Sequence, residues 1–291
     1  MTLWCMMTLF IAAFLPSLAA GEILSRFGRN RNLFSDPVRV RFYTNRRPVL
    51  GHVALFTAFF LPFAAAFLTG AFSDEFFYSL AGMKHIATGL FFSTLFLVIS
   101  AAISDLRNDP GDYEWLYIIA SALMLYFFGI RFTVVYIPGM GEVTSGLWGL
   151  PLLVMWVLLI VSIVELLDFF SGAAGGAIAI LSLIYALLHF FSGRGEVFVP
   201  AFFVILAGAA AGLFPLQAAG RILFGKSGNK IPGFLFAAGT VVAYRKVTTG
   251  QIFIFPIAIF LFVIVVGNYL FLDSQLRPTI GPASRGNKTI S

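Results

Sequence analysis

Two carboxylates lie near the end of an apolar run that begins at about Leu147, in the stretch 162-SIVELLDFFSGAAGGA-177. Glu165 and Asp168 are three residues apart, so on a helix their side chains point to one face. Carboxylates inside an apolar segment are costly and by default indicate a functional site, where they could bind a metal ion or act as a base. A structural alternative stays open, because the same pair could cap the helix end or form a salt bridge within a helix bundle.

The composition predicts a polytopic membrane protein. Of the 291 residues, 59% are hydrophobic and 11% are charged, whereas soluble domains carry about 25% charged residues. Cys5 is the only cysteine, which excludes a disulfide framework and a thiolate metal site. His52, His85 and His189 are scattered along the chain, so we expect them to be packed or interfacial rather than metal ligands. The net charge of +6 is interpreted as membrane topology rather than as nucleic-acid binding.

The apolar residues fall into blocks of the length that a helix needs to cross the hydrocarbon, roughly 20 residues. We predict nine spans, at about 2–20, 51–72, 86–104, 115–136, 147–167, 173–191, 197–214, 231–247 and 252–272. The first span has no basic n-region, so we expect a retained helix and not a signal peptide. The predicted fold class is therefore an all-α polytopic membrane protein, with a single transmembrane domain over 1–272 and a short cytoplasmic tail over 273–291.

The positive charges predict the orientation. Nine spans divide the loops into two sets, and the odd-numbered loops with the C-terminal tail hold 14 of the 19 Lys and Arg residues. Cytoplasmic loops collect Lys and Arg, so we expect the N-terminus outside and the C-terminus in the cytoplasm of a multi-pass inner-membrane protein. The seven arginines from Arg26 to Arg47 fit this signal and can also contact anionic lipid. The turns near residues 104–114, 168–176 and 213–230 are then predicted on the cytoplasmic side.

Four stretches on that side carry a family resemblance. They are 41-RFYTNRRPVLGH-52, 103-ISDLRNDPGDYEW-115, 162-SIVELLDFFSGAAGGA-177 and 221-RILFGKSGNKIPGF-234. In this order and at these spacings, over residues 24–275, they resemble the polyprenyl-phosphate N-acetylhexosamine-1-phosphate transferases of glycosyltransferase family 4. The resemblance implies transfer of a sugar phosphate from a UDP-sugar to a polyprenyl phosphate in cell-envelope synthesis, with Mg2+ and with release of UMP.

The resemblance also implies roles for individual residues. The implied catalytic residues are Asp105, Asp168 and Glu165, of which Asp105 and Asp168 are the implied metal ligands. The implied substrate-binding residues are Arg47, Arg107, Gly172, Gly225, Lys226 and Ser227. A second interpretation of the glycines is that Gly172, Gly175 and Gly176 let two helices approach closely.

Three aspartates of the family pattern are replaced, by Ser104, Ser171 and Lys226. A lysine cannot ligate Mg2+ and repels it, so we expect Lys226 to cost several orders of magnitude in rate, about 4 kcal/mol or more. Lys226 could instead take the place of the metal, pair with Asp168 or Asp105, and bind a phosphate as a point charge.

Two functions follow, and a transporter is less favoured because no inverted repeat is visible. The first is a divergent, weakly active sugar-1-phosphate transferase. The second is a catalytically inactive relative that binds lipid phosphate, or that scaffolds an active transferase in a homo- or hetero-oligomer. The chain ends where the family has a His-rich cytoplasmic loop and further spans, so we expect a C-terminally shortened relative. Nucleic acid is not an expected partner.

Overall fold

The protein is predominantly helical. The computed structural model describes residues 2–31, 50–69, 84–107, 113–137, 141–168, 173–192, 197–225, 227–243 and 246–248. The helices are α1 Leu3–Asn30, α2 Gly51–Thr69, α3 Lys84–Arg107, α4 Glu114–Phe127, α5 Gly149–Asp168, α6 Ala173–Phe191, α7 Phe198–Ala218 and α8 Lys230–Ala243. The strands are β1 Val134–Ile137, β2 Gly141–Thr144 and β3 Lys246–Thr248.

Five stretches are long and apolar enough to cross a membrane. They are Leu3–Asn30, His85–Asp105, Gly146–Leu167, Ala174–Phe191 and Phe198–Ala218. Three shorter apolar helices accompany them, at Gly51–Ala65, Glu114–Phe127 and Lys230–Ala243. These helices support a multi-pass membrane protein. The count of nine spans and the orientation stay predictions, since the ninth predicted span, 252–272, and the tail, 273–291, lie outside the described residues.

Several helix ends differ from the predicted span boundaries, and a small sheet accompanies the helices. The first helix runs to Asn30 rather than to residue 20, and an ion pair one helical turn apart, Glu22 with Arg26, supports the extension. The fourth predicted span covers 115–136, yet α4 ends at Phe127. Gly129 then adopts φ +82, where glycine has no steric penalty and ends a helix readily. The eighth predicted span covers 231–247, but α8 ends at Ala243 and β3 follows.

The three strands form one small sheet in the order β2-β1-β3. β1 pairs antiparallel with β2, and it pairs parallel with β3, where Val135 lies opposite Val247. The parallel pairing joins the segment that follows α4 to the segment that follows α8. We call this the sheet end of the bundle. Leu147 and Trp148, which follow β2, are 89% and 81% exposed, as is typical of side chains at a lipid interface.

Helix α8 lies in the centre of the bundle, because every residue from Lys230 to Val242 is buried. The indole of Trp156 on α5 donates a hydrogen bond to Thr240 Oγ1 on α8 at 2.9 Å. Helix α7 packs closely on α1, where a Cβ at Gly212 would overlap Ser17 and the backbone of Phe14. Small residues allow such close packing in membrane helices. The central position of α8 brings its first residue, a lysine, into a buried environment.

Candidate functional site

Charged and hydroxyl side chains from four helices meet at the end of the bundle opposite the sheet. Since α4 and α8 both lead into the sheet, their first residues, Glu114 and Lys230, lie together at the other end. The group comprises Ser104 and Asp105 on α3, Glu114 on α4, Glu165 on α5, and Ser227 and Lys230 at the start of α8. We call this group the charged end.

Ser227 is the centre of a buried hydrogen-bond network. Its backbone N–H donates to Asp105 Oδ1 at 3.0 Å. Its hydroxyl lies 2.9 Å from Glu114 Oε1 and 3.0 Å from Ser104 Oγ. An ionised carboxylate only accepts hydrogen bonds, so the Ser227 hydroxyl donates to Glu114 and accepts from Ser104. The serine at 104, where the resemblance expects an aspartate, thus serves as a neutral donor.

Lys230 is clamped between two carboxylates. Its Nζ forms an ion pair with Glu114 Oε2 and lies 3.4 Å from Glu165 Oε1. The side chains of Lys230 and Glu114 are 3% and 6% exposed, while that of Glu165 is 38% exposed. A buried ammonium is stable only when it is paired and hydrogen-bonded. Glu114 is therefore the buried partner of Lys230. Glu165 is the second carboxylate beside the ammonium, and it lies on the more exposed side.

Asp105 has one carboxylate oxygen without a hydrogen-bond partner in the described part of the chain. Its Oδ2 is buried and has no hydrogen-bond partner among the residues that the structure describes. The carboxylate lies against Gly225, where φ is +90 and an added Cβ would overlap Asp105 Oδ2. A glycine is required there both by the backbone conformation and by the close approach. Among the described side chains of the charged end, three are carboxylates and one is an ammonium.

The loop before α8 also contacts the start of α2. The Gly51 N–H donates to the Leu223 carbonyl at 2.9 Å. His52 is fully buried, and its Nδ1 lies 2.7 Å from the Phe224 carbonyl. A carbonyl only accepts, so Nδ1 is the donor. His52 is therefore packed, as predicted, and it ties the first of the four stretches to the fourth.

The glycines at the start of α6 serve close helix packing. A Cβ at Gly175 would overlap the Gln217 side chain, and a Cβ at Gly176 would lie 2.9 Å from the Phe214 ring. Both of these partners belong to α7. The packing interpretation of this pair is confirmed, while Gly172 lies outside the described residues.

The structure brings four of the predicted site residues together, namely Asp105, Glu165, Gly225 and Ser227. Arg47, Ser171 and Lys226 lie outside the described residues. Arg107 and Asp168 end α3 and α5, but their side chains are outside the described part. The sequence interpretation missed Glu114 and Lys230. The available signal was their position, since each is the charged first residue of a short apolar helix within a quoted stretch.

The fold and the charged end define a class: a multi-pass, predominantly helical membrane protein whose described residues include a largely buried cluster of carboxylates, hydroxyls and the Lys230 ammonium. Comparison of the sequence with protein-family models and with curated proteins finds no match. Across the described ranges, no three His, Cys, Asp or Glu side chains are placed to hold a metal ion together.

Proposed function

We propose that the protein is a divergent relative of the polyprenyl-phosphate sugar-1-phosphate transferases, with weak transfer activity at the charged end. The observation that supports this most is the contact between Asp105 and Ser227, which are 122 residues apart in the chain. The resemblance predicts that their two stretches form one site. Glu165, from the third stretch, reaches the same cluster through Lys230.

The charge of the cluster decides how an anionic substrate could bind. A lipid phosphate and a UDP-sugar are both negative, so the carboxylates of the charged end repel them unless a cation intervenes. Mg2+ is usually held by one or two carboxylates plus substrate phosphate oxygens. We propose that Asp105, whose Oδ2 has no hydrogen-bond partner among the described residues, would hold it together with Asp168. When bound, Mg2+ would neutralise the phosphates.

Basic residues at the ends of α1 and α7 support an anionic partner, and Glu22 pairs with two of them, Arg26 and Arg221. Arg26 and Arg29 lie near the end of α1, and Arg221 follows α7. Ser25 joins these segments by donating to the Arg221 carbonyl at 2.9 Å. Arginines near the membrane surface attract anionic headgroups. We propose that this rim draws the polyprenyl phosphate toward the charged end.

A second candidate is an inactive relative that binds lipid phosphate or scaffolds an active transferase. The ion pairs of Lys230 with Glu114 and Glu165 favour this inactive relative. Glu165, which the resemblance makes catalytic, lies within ion-pair distance of an ammonium, and both oxygens of Glu114 are engaged. Such carboxylates are poor bases and poor metal ligands, because the ammonium already compensates their charge.

The test is a direct assay with purified protein, polyprenyl phosphate, radiolabelled UDP-GlcNAc and Mg2+. We expect slow formation of a lipid-linked product, and faster formation by the variant Ser104→Asp, Ser171→Asp, Lys226→Asp. Binding of either substrate without product, in both proteins, would favour the inactive relative. If neither protein forms product or binds polyprenyl phosphate or UDP-GlcNAc, the proposal is wrong.

Replacing Asp105 with Asn should weaken Mg2+-dependent binding of UDP-GlcNAc about 100-fold. Asn keeps an acceptor for the Ser227 N–H but removes the negative charge at the free oxygen. Titration calorimetry with and without Mg2+ measures the change. Glu142→Gln is the matched control, because Glu142 is an exposed carboxylate at the sheet end. Equal binding by the two variants would exclude Asp105 from the site.

A further inference from the structure

Lys230 is unusual because a charged side chain begins the most central helix of a membrane protein. The residue is 2% exposed. The polar groups that the structure places next to its ammonium are carboxylate oxygens from two other helices, Glu114 on α4 and Glu165 on α5. Hydroxyls of Ser227 and Ser104 extend the same network. Oxygen atoms of this kind are the ligands that Mg2+ and Ca2+ prefer.

We propose that Lys230 is a built-in cation, whose ammonium holds the position between Glu114 and Glu165 that a divalent ion would otherwise take. The two carboxylates come from different helices, and the buried charge of Glu114 in particular must be balanced before the starts of α4 and α8 can meet here. A lysine at the first residue of α8 delivers the balancing charge as part of the chain. This region of the charged end therefore folds independently of metal.

The charged end then has two separate positions at which a cation can balance carboxylate charge. Glu114 and Glu165 are already balanced by Lys230, while Asp105 Oδ2 has no partner among the described residues. A metal ion required by a substrate would act at Asp105 and would leave the Lys230 clamp in place. The inference goes beyond sugar-phosphate transfer, because it concerns the substrate-free protein and holds whether or not transfer occurs.

The experiment measures thermal unfolding of the full chain in detergent, by tryptophan fluorescence, in EDTA and in millimolar Mg2+ or Mn2+. We expect the same Tm for the unaltered protein under all three conditions. Lys230→Met has a similar length without charge, and in EDTA its Tm should fall by roughly 10 °C. Mn2+ or Mg2+ should recover most of this loss, since Glu114 and Glu165 can then share a divalent ion in place of the ammonium.

Two control variants make the result specific. Lys230→Arg keeps the positive charge and should unfold independently of metal. The triple variant Glu114→Gln, Glu165→Gln, Lys230→Met removes all three charges, and it should respond to neither ion. The proposal is overturned if Lys230→Met matches the unaltered protein in EDTA, or if divalent ions stabilise it no more than the triple variant.

A failure of Lys230→Met to fold is also decisive. The triple variant then separates charge from packing, because it shares the Met at position 230. A folded triple variant supports Lys230 as the balancing cation. A triple variant that also fails to fold overturns the proposal, since the lysine would then be needed for something other than its charge.

Discussion

Replacing Glu114 with Gln should lower the free energy of unfolding by about 3 kcal/mol or more. Gln has nearly the same shape, so the change removes the charge and little else. The Lys230 ammonium, whose side chain is 3% exposed, would lose its buried partner, and Glu165, the other described carboxylate beside it, lies farther away. Removing one partner of a buried pair is costly because the other charge stays buried and unpaired. Chemical or thermal unfolding of the purified protein measures the loss.

Glu165→Gln is the matched control for this prediction. It alters the same ammonium, but the Glu165 side chain is 38% exposed and its oxygen lies 3.4 Å from Nζ. Exposed ion pairs contribute about 0–1 kcal/mol, so we expect a loss below about 1 kcal/mol. If the two variants lose equal stability, Lys230 does not depend mainly on Glu114, and the described clamp is wrong.

The helical architecture could be predicted because each apolar block is long enough to cross a bilayer, and composition alone shows this. The small sheet could not be predicted from the composition. Residues 128–137, FGIRFTVVYI, are nearly as apolar as the helix before them, so hydropathy gives no sign of a change. Gly129 and the β-branched pair Val134–Val135 were the local signals. The pairing of β1 with β3 joins segments over a hundred residues apart, and local sequence does not contain that contact.

The site was predicted in part for a related reason. Asp105, Glu165, Gly225 and Ser227 were found through the motif resemblance, and they do meet. In the sequence, Lys230 was counted only among the loop charges that predict the orientation in the membrane. Such loop residues are expected to be in contact with water. The structure instead places Lys230 at 2% exposure. That burial follows from the central position of α8 among its neighbours, and its partner Glu114 is 116 residues away in sequence.

Gly225→Ala should be a strongly damaging small substitution in the loop before α8. Gly225 has φ +90, and an added Cβ would overlap the Asp105 carboxylate. Alanine in the left-handed region costs about 1 kcal/mol. Displacing Asp105 would also break its hydrogen bond from the Ser227 N–H, and hydrogen bonds to charged groups are worth about 1.5–3 kcal/mol. We therefore expect a total loss of about 3 kcal/mol or more in unfolding measurements.

Gly129→Ala separates the two contributions, because Gly129 has a similar φ of +82 and, among the described residues, no heavy atom within 4 Å of an added Cβ. It should lose about 1 kcal/mol, the backbone cost alone. A double-mutant cycle then assigns the remainder to Asp105. In an Asp105→Ala background the carboxylate is gone, so Gly225→Ala should cost no more than Gly129→Ala. If Gly225→Ala lowers the free energy of unfolding equally with and without the Asp105 side chain, the loop conformation does not depend on packing against that carboxylate. The contact between Asp105 and the loop, which joins two of the motif stretches, would then contribute nothing measurable to stability.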